Sequence, residues 1–128
     1  MEYIIFDREE YPELLSESIG CAVITPWEPY VRRMLDKLET LRSSGADVKV
    51  IQIKEKFGSL RVYSRVYNQE LEGIDAKVDE IVQEAVTASA NICSVCGSTA
   101  EVQLSLRTPD SGWLLRLCKE HRSAEENL

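Results

Sequence analysis

The chain has 128 residues, 44% of them apolar, enough for about one domain with a modest core. A formal net charge of -7 disfavours generic polyanion binding, which depends on many phosphate contacts, and favours a basic partner instead. No apolar run approaches the ~20 residues that span a bilayer, and the acidic start Met-Glu-Tyr-Ile-Ile-Phe-Asp-Arg-Glu-Glu has no basic region ahead of a hydrophobic stretch, which predicts a cytoplasmic protein.

The charge is unevenly spread. Residues 1–47 carry ten acids and five bases, and residues 68–92 six acids and one base. Between them, residues 48–67 hold Lys49, Lys54, Lys56, Arg61 and Arg65 against one acid, Glu55.

Cys21 lies in the apolar run Cys21-Ala22-Val23-Ile24 and reads as a buried free thiol behaving as a small hydrophobe. Thr25-Pro26-Trp27-Glu28 has the form of a capping box, with Pro26 at the first helical position; a start at Pro29 instead, with Glu28 before it, is left open. Trp27, Tyr30, Val31, Met34, Leu35, Leu38 and Leu41 then recur at helical spacing, and Ser43-Ser44-Gly45 ends the helix.

Val48 to Lys54 and Leu60 to Tyr67 predict two strands joined as a hairpin through Glu55-Lys56-Phe57-Gly58-Ser59. On the second strand Leu60, Val62, Ser64 and Val66 share one side, and Arg61, Tyr63, Arg65 and Tyr67 the other. The basic and aromatic side could stack bases and meet phosphates. The reading favoured from sequence is structural: tyrosines packed beneath a helix, arginines paired with the acids of residues 68–92. A second helix is predicted over about Ile74 to Ala90, with Ile74, Val78, Ile81, Val82, Ala85 and Val86 as its apolar stripe. It leads almost directly into Cys93.

Cys93-Ser94-Val95-Cys96-Gly97 is a knuckle that can turn two sulfurs toward one ion, the glycine freeing the backbone for the turn. After 21 intervening residues, Cys118-Lys119-Glu120-His121 repeats the spacing. The segment between reads as a hairpin, Glu101 to Arg107 and Trp113 to Leu117 around Thr108-Pro109-Asp110-Ser111-Gly112, which returns the chain to the first knuckle. Cys93, Cys96, Cys118 and His121 are therefore predicted to bind one structural Zn2+. Three thiolates and an imidazole close the tetrahedron and leave no position for a reacting water; with the ion they add one negative charge. His121 is the only histidine, so a ligand role removes the Ser-His and Cys-His nucleophile arrangements. Glu9-Glu10 and Asp79-Glu80 read as solvated faces, and no phosphate-cradling glycine loop occurs.

The string Ile53-Lys54-Glu55-Lys56-Phe57-Gly58-Ser59-Leu60-Arg61-Val62-Tyr63, the CxxCG knuckle and Gly112-Trp113-Leu114-Leu115-Arg116-Leu117-Cys118-Lys119-Glu120-His121 together resemble a group of small uncharacterised bacterial and phage proteins. In these a KEKFGxLRxY segment precedes a helix, CxxCG and a GWxxxLCxxH ending. The resemblance covers roughly residues 25–121 and implies an accessory or phage-encoded product, without implying an activity.

The fold expected is α+β, an antiparallel hairpin or sheet packed with two amphipathic helices, plus a zinc-ribbon or treble-clef-like module. The organisation expected is a single domain, with 1–92 as its body and 93–128 as an integrated zinc module. The function expected is non-catalytic protein binding, by analogy with inhibitors or immunity proteins that neutralise a basic toxin or effector. The alternative is nucleic-acid binding through Lys54, Lys56, Arg61, Tyr63, Arg65 and Tyr67 and the zinc knuckles. A zinc enzyme would require an open coordination position.

Overall fold

Both sequence-predicted strands form, as β3 (Val48–Lys56) and β4 (Ser59–Val66), in a computed structural model that describes residues 2–68, 70–106 and 114–126. They pair antiparallel around Phe57 and Gly58, whose φ values of 54° and 75° make the two-residue turn that matches the strands' twist. Two further strands precede them, β1 (Tyr3–Ile5) and β2 (Gly20–Ile24). The sheet order is β1-β2-β3-β4, with β1 antiparallel to β2 and β2 parallel to β3. A parallel pair needs a crossover, and helix α1 (Glu28–Ser43) supplies it.

The start of α1 differs from a capping box. Residues Thr25–Trp27 form one 3₁₀ turn, and the Thr25 hydroxyl donates to the Glu2 carbonyl, 3.1 Å, rather than accepting from the helix. The α-helix begins at Glu28, so Pro29 lies in the first turn, where a missing N–H costs no intrahelical bond. The apolar stripe predicted for α1 is realised, Trp27, Val31, Met34, Leu35 and Leu38 all being buried.

Helix α2 runs Ile74–Ala90, as its periodicity predicts. It packs beside α1 and against β4, with Val78, Ile81 and Ala85 in the core. The sheet's inner side contributes Val23, Val48, Val50, Ile53 and Leu60 to the same core. Val50 and Ile53 are three positions apart yet share that side because an irregularity between Val50 and Gln52 absorbs one residue. Without it, a strict two-residue alternation would turn Ile53 outward.

The segment between β1 and β2 closes one end of this core with Tyr11, Leu14 and Leu15. It is tied down by backbone bonds from Val50 to Leu14 (2.9 Å) and from Ile19 to Ile51 (2.7 Å). Tyr11 donates its hydroxyl to Asp36 of α1 at 2.8 Å, and Arg32 bonds Glu10 at 2.8 Å while lying 4.9 Å over the Phe6 ring. Cys21 is buried and unbonded to another cysteine, and burial pushes its thiol pKa up, as a structural thiol requires.

The C-terminal third is a second, two-stranded sheet, β5 (Gln103–Leu106) antiparallel to β6 (Leu114–Leu117), followed by α3 (Lys119–Glu126). The predicted turn Thr108–Gly112, with Arg107 and Trp113, lies outside the described residues. No helix among the described residues is long and apolar enough to cross a membrane.

Candidate metal centre

Residues 93–98 form a tight loop directly after α2. The Cys93 amide donates to the Ser98 carbonyl and the Gly97 amide to the Cys93 carbonyl, both at 2.8 Å. Gly97 takes φ 77°, a conformation costly for a side-chain-bearing residue, and so turns the chain back beneath Cys96. The loop is stitched to β6: the Ser94 amide donates to the Arg116 carbonyl at 2.6 Å, and the buried Ser94 hydroxyl accepts from the Arg116 amide at 3.2 Å. Those bonds bring Cys118, one residue beyond β6, beside the first knuckle. His121 follows on the first turn of α3.

The ligand atoms of Cys93, Cys96, Cys118 and His121 all lie within 4.8 Å of one another, and the four could hold a metal ion. Cys96 Sγ is 3.8 Å from Cys118 Sγ, and His121 Nδ1 is 3.6 Å from Cys93 Sγ and 3.2 Å from Cys118 Sγ. Cys93 and Cys118 are buried, Cys96 is exposed, and His121 is half-buried. Leu115, Leu117 and Val102 pack around the two buried sulfurs as a small separate core.

Burial opposes ionisation of the Cys93 thiol, yet the surrounding backbone of Cys118, Cys96 and Val95 outweighs it and holds the thiol below its ordinary value. One contact of this kind is the Val95 amide, 3.4 Å from Cys93 Sγ. Backbone hydrogen bonding at His121 likewise lowers Cys118. The thiolate is the form that binds a metal, and the fold favours it at Cys93 and Cys118. At Cys96 the Ser98 backbone favours it too, but burial and the neighbouring Cys93 and Cys118 outweigh that and push the thiol up.

The near absence of a linker after α2 predicts a module packed on the hairpin and helices; it does sit on the hairpin's turn, through a contact the sequence did not show. The β3–β4 turn packs against β5 and β6, where Arg116 Nε donates to the Gly58 carbonyl at 3.2 Å. A Cβ at Gly58 would stand 2.6 Å from Leu104 Cδ1 and 3.4 Å from the Leu114 carbonyl oxygen. Gly58 therefore serves both the turn and the close approach. The glycine in Phe57-Gly58 was visible as a turn residue, but nothing local to it indicated a neighbour 58 residues away.

The basic and aromatic residues are placed differently from the favoured structural reading. Arg61, Tyr63, Arg65 and Tyr67 do lie on one side of β4, but α2 covers the opposite side. Tyr63 is 47% and Tyr67 48% exposed, so neither packs beneath a helix. Nor, among the described residues, do the arginines form an ion pair with the acids of residues 68–92; the Tyr67 side chain first, and Glu17 after it, push the Arg65 pKa up. Alternation on a strand defines two sides, and the position of α2 decides which is buried. Lys54 stands 5.5 Å over the Tyr63 ring and Lys56 5.6 Å over Phe57, so all six predicted residues share this open region.

A cleft of about 730 Å³ opens between the first knuckle and the start of α1, lined in part by Pro26, Glu28, Pro29, Tyr30, Val95 and Cys96. No protein-family model, curated protein or solved structure matches the chain.

Proposed function

We propose that this chain is a non-catalytic protein-binding module held together by a structural zinc ion, and that it engages a basic partner in the manner of an inhibitor or immunity protein. The observation that carries this reading is the convergence of three cysteines with the chain's single histidine. Thiolate and imidazole donors suit zinc, and a tetrahedral zinc with bonds of about 2.3 Å to sulfur and 2.0 Å to nitrogen has edges of about 3.8 and 3.5 Å. The Cys96–Cys118 and Cys93–His121 separations of 3.8 and 3.6 Å fit those edges, the Cys118–His121 separation of 3.2 Å is shorter by about 0.3 Å, and all four ligand atoms lie within 4.8 Å of one another. Four protein ligands leave no open position, and no second imidazole exists to act as a general base.

The choice of a basic partner is supported by the layer opposite the sheet. Glu70, Glu72, Asp75 and Asp79 are exposed and lack an ion pair among the described residues, whereas Glu84 is paired with Lys37 and Glu80 with Lys77. Asp75 and Asp79 lie on α2 and Glu70 and Glu72 just ahead of it, and this local excess of unpaired carboxylates steers a cationic partner toward them.

Co-purification from the native host under gentle conditions tests the reading. Recovery of a basic protein whose binding weakens with Asp75→Asn and Asp79→Asn is expected. Recovery of no protein partner, or retention of a partner by the double variant, overturns it. Elemental analysis of the purified chain tests the metal separately, with one zinc per chain expected.

A further inference from the structure

We infer that the open side of β3 and β4 is a docking surface for single-stranded nucleic acid, distinct from the acidic helical layer. The register of the hairpin sets Lys49 directly opposite Arg65, and Lys54 directly opposite Arg61. Like charges facing each other across a strand pair are destabilising, and natural hairpins more often place opposite charges there. At Lys49 the repulsion is relieved, since its ammonium is largely covered and donates to the Glu13 carbonyl at 2.9 Å; at Lys54 and Arg61 it is not. Among the described residues, no carboxylate forms an ion pair with Lys54, Lys56, Arg61 or Arg65; Lys49 alone reaches one, Glu13, at 3.6 Å. Glu17 also approaches this side, accepting from the Tyr67 hydroxyl at 2.5 Å.

Between the two like-charged pairs sit Tyr63 and Gln52, themselves opposite each other. Tyr63, Tyr67 and Phe57, at 47, 48 and 59% exposure, carry their rings into solvent among the cations. The side continues across β1, where alternation turns the exposed Tyr3 and Ile5 the same way. The cations keep their water on this open side, so an anionic occupant could meet them without breaking internal ion pairs of Lys54, Lys56, Arg61 or Arg65.

The pairing of cations with exposed rings chooses the anion. Bases stack on aromatic side chains while phosphates take the lysines and arginines, and any base has a face to offer. An acidic polypeptide would satisfy the charges but leave the rings idle. A duplex offers its bases only inside grooves, which an open sheet side does not enter. The chain's net charge of -7 weakens the long-range attraction, but the Debye length at physiological salt is only ~8 Å, and locally residues 48–67 hold five bases against Glu55 alone.

Fluorescence anisotropy of labelled oligo-dT and oligo-U with the zinc-loaded full chain tests the inference. Binding is expected at low salt, with an affinity that falls steeply between about 50 and 200 mM salt. Tyr63→Ala is expected to weaken it by about fivefold to a hundredfold through lost stacking. Arg61→Glu should abolish it at equal salt while keeping the fold, since the new carboxylate faces Lys54 and forms an ion pair. Thermal unfolding of each variant establishes that the fold is intact. Three results would overturn the inference: no binding at ~100 µM protein, binding that Arg61→Glu leaves unchanged, or a poly-glutamate peptide binding as tightly as the oligonucleotides with no loss in Tyr63→Ala. Asp75→Asn, which bears on the protein-binding reading, should not change oligonucleotide affinity, so the two proposals can fail separately.

Discussion

Arg116 of β6 donates from Nε to the backbone carbonyl of Gly58, 3.2 Å away, and its Nη2 reaches the Ser59 hydroxyl at 3.4 Å. This one side chain joins the turn of the main sheet to the strand that leads into Cys118. The metal-ligating module is therefore seated on the hairpin's tip, and a change at the tip should be felt in both.

Gly58→Ala meets two penalties at once, a φ of 75° and a Cβ only 2.6 Å from Leu104 Cδ1. Leu104 is partly exposed and can move, but the Leu114 carbonyl at 3.4 Å is backbone. A loss of about 1–3 kcal/mol is expected in chemical denaturation. Arg116→Ala should cost about 1–3 kcal/mol, because Gly58 is buried and its carbonyl loses the side-chain donor.

Removing the metal should loosen the C-terminal third before the body. Its own core is small, built on Leu115, Leu117 and the two buried cysteines, while the body keeps more than a dozen buried apolar side chains of its own. Chelation, or Cys93→Ser, is expected to erase hydrogen-exchange protection in β5, β6 and α3 and to leave most of it in α1, α2 and β3. A Cys93→Ser protein that retains full protection in β6 would contradict a structural role for the ion.

The Tyr11 hydroxyl gives a pH signature. Burial, chiefly, and its bond to Asp36 raise its pKa from 10.0 to about 12. Because the folded value is the higher one, this stabilisation is complete below pH ~10 and is lost as pH rises toward about 12. Comparing wild type with Tyr11→Phe across that interval isolates the effect. The wild type should lose up to about 2 kcal/mol more than the variant.

Arg61→Glu converts a like-charge pair with Lys54 into an opposite one. Such pairs contribute roughly 0.2–1 kcal/mol each, so the variant should be more stable than wild type by a few tenths to about 1 kcal/mol. Urea denaturation at low salt is the measurement, and the gain should shrink as salt is added. A residue whose replacement raises stability while removing binding is one retained for the surface, not for the fold.

What the sequence by itself determined is what short-range chemistry specifies. The 3.6-residue period of Val31, Met34, Leu35 and Leu38 and of Ile74, Val78, Ile81 and Ala85 located two helices, the second to its ends. The alternation of β4, the glycine turn and the two matched ligand pairs were legible for the same reason, since each is complete within about a dozen residues. Strands β1 and β2 were not, because three and five residues are too few to show a period, and Cys21-Ala22-Val23-Ile24 suits any buried segment.

Tertiary structure alone decided three matters. It paired β2 parallel to β3, a choice that rests on α1 crossing over between them. It turned Arg61, Tyr63, Arg65 and Tyr67 outward, because α2 settled on the more apolar side of β4 and left the cations their water, where an unpaired charge costs least. It also brought Arg116 to Gly58 across 58 residues, a contact set by the packing of two sheets that no local pattern encodes.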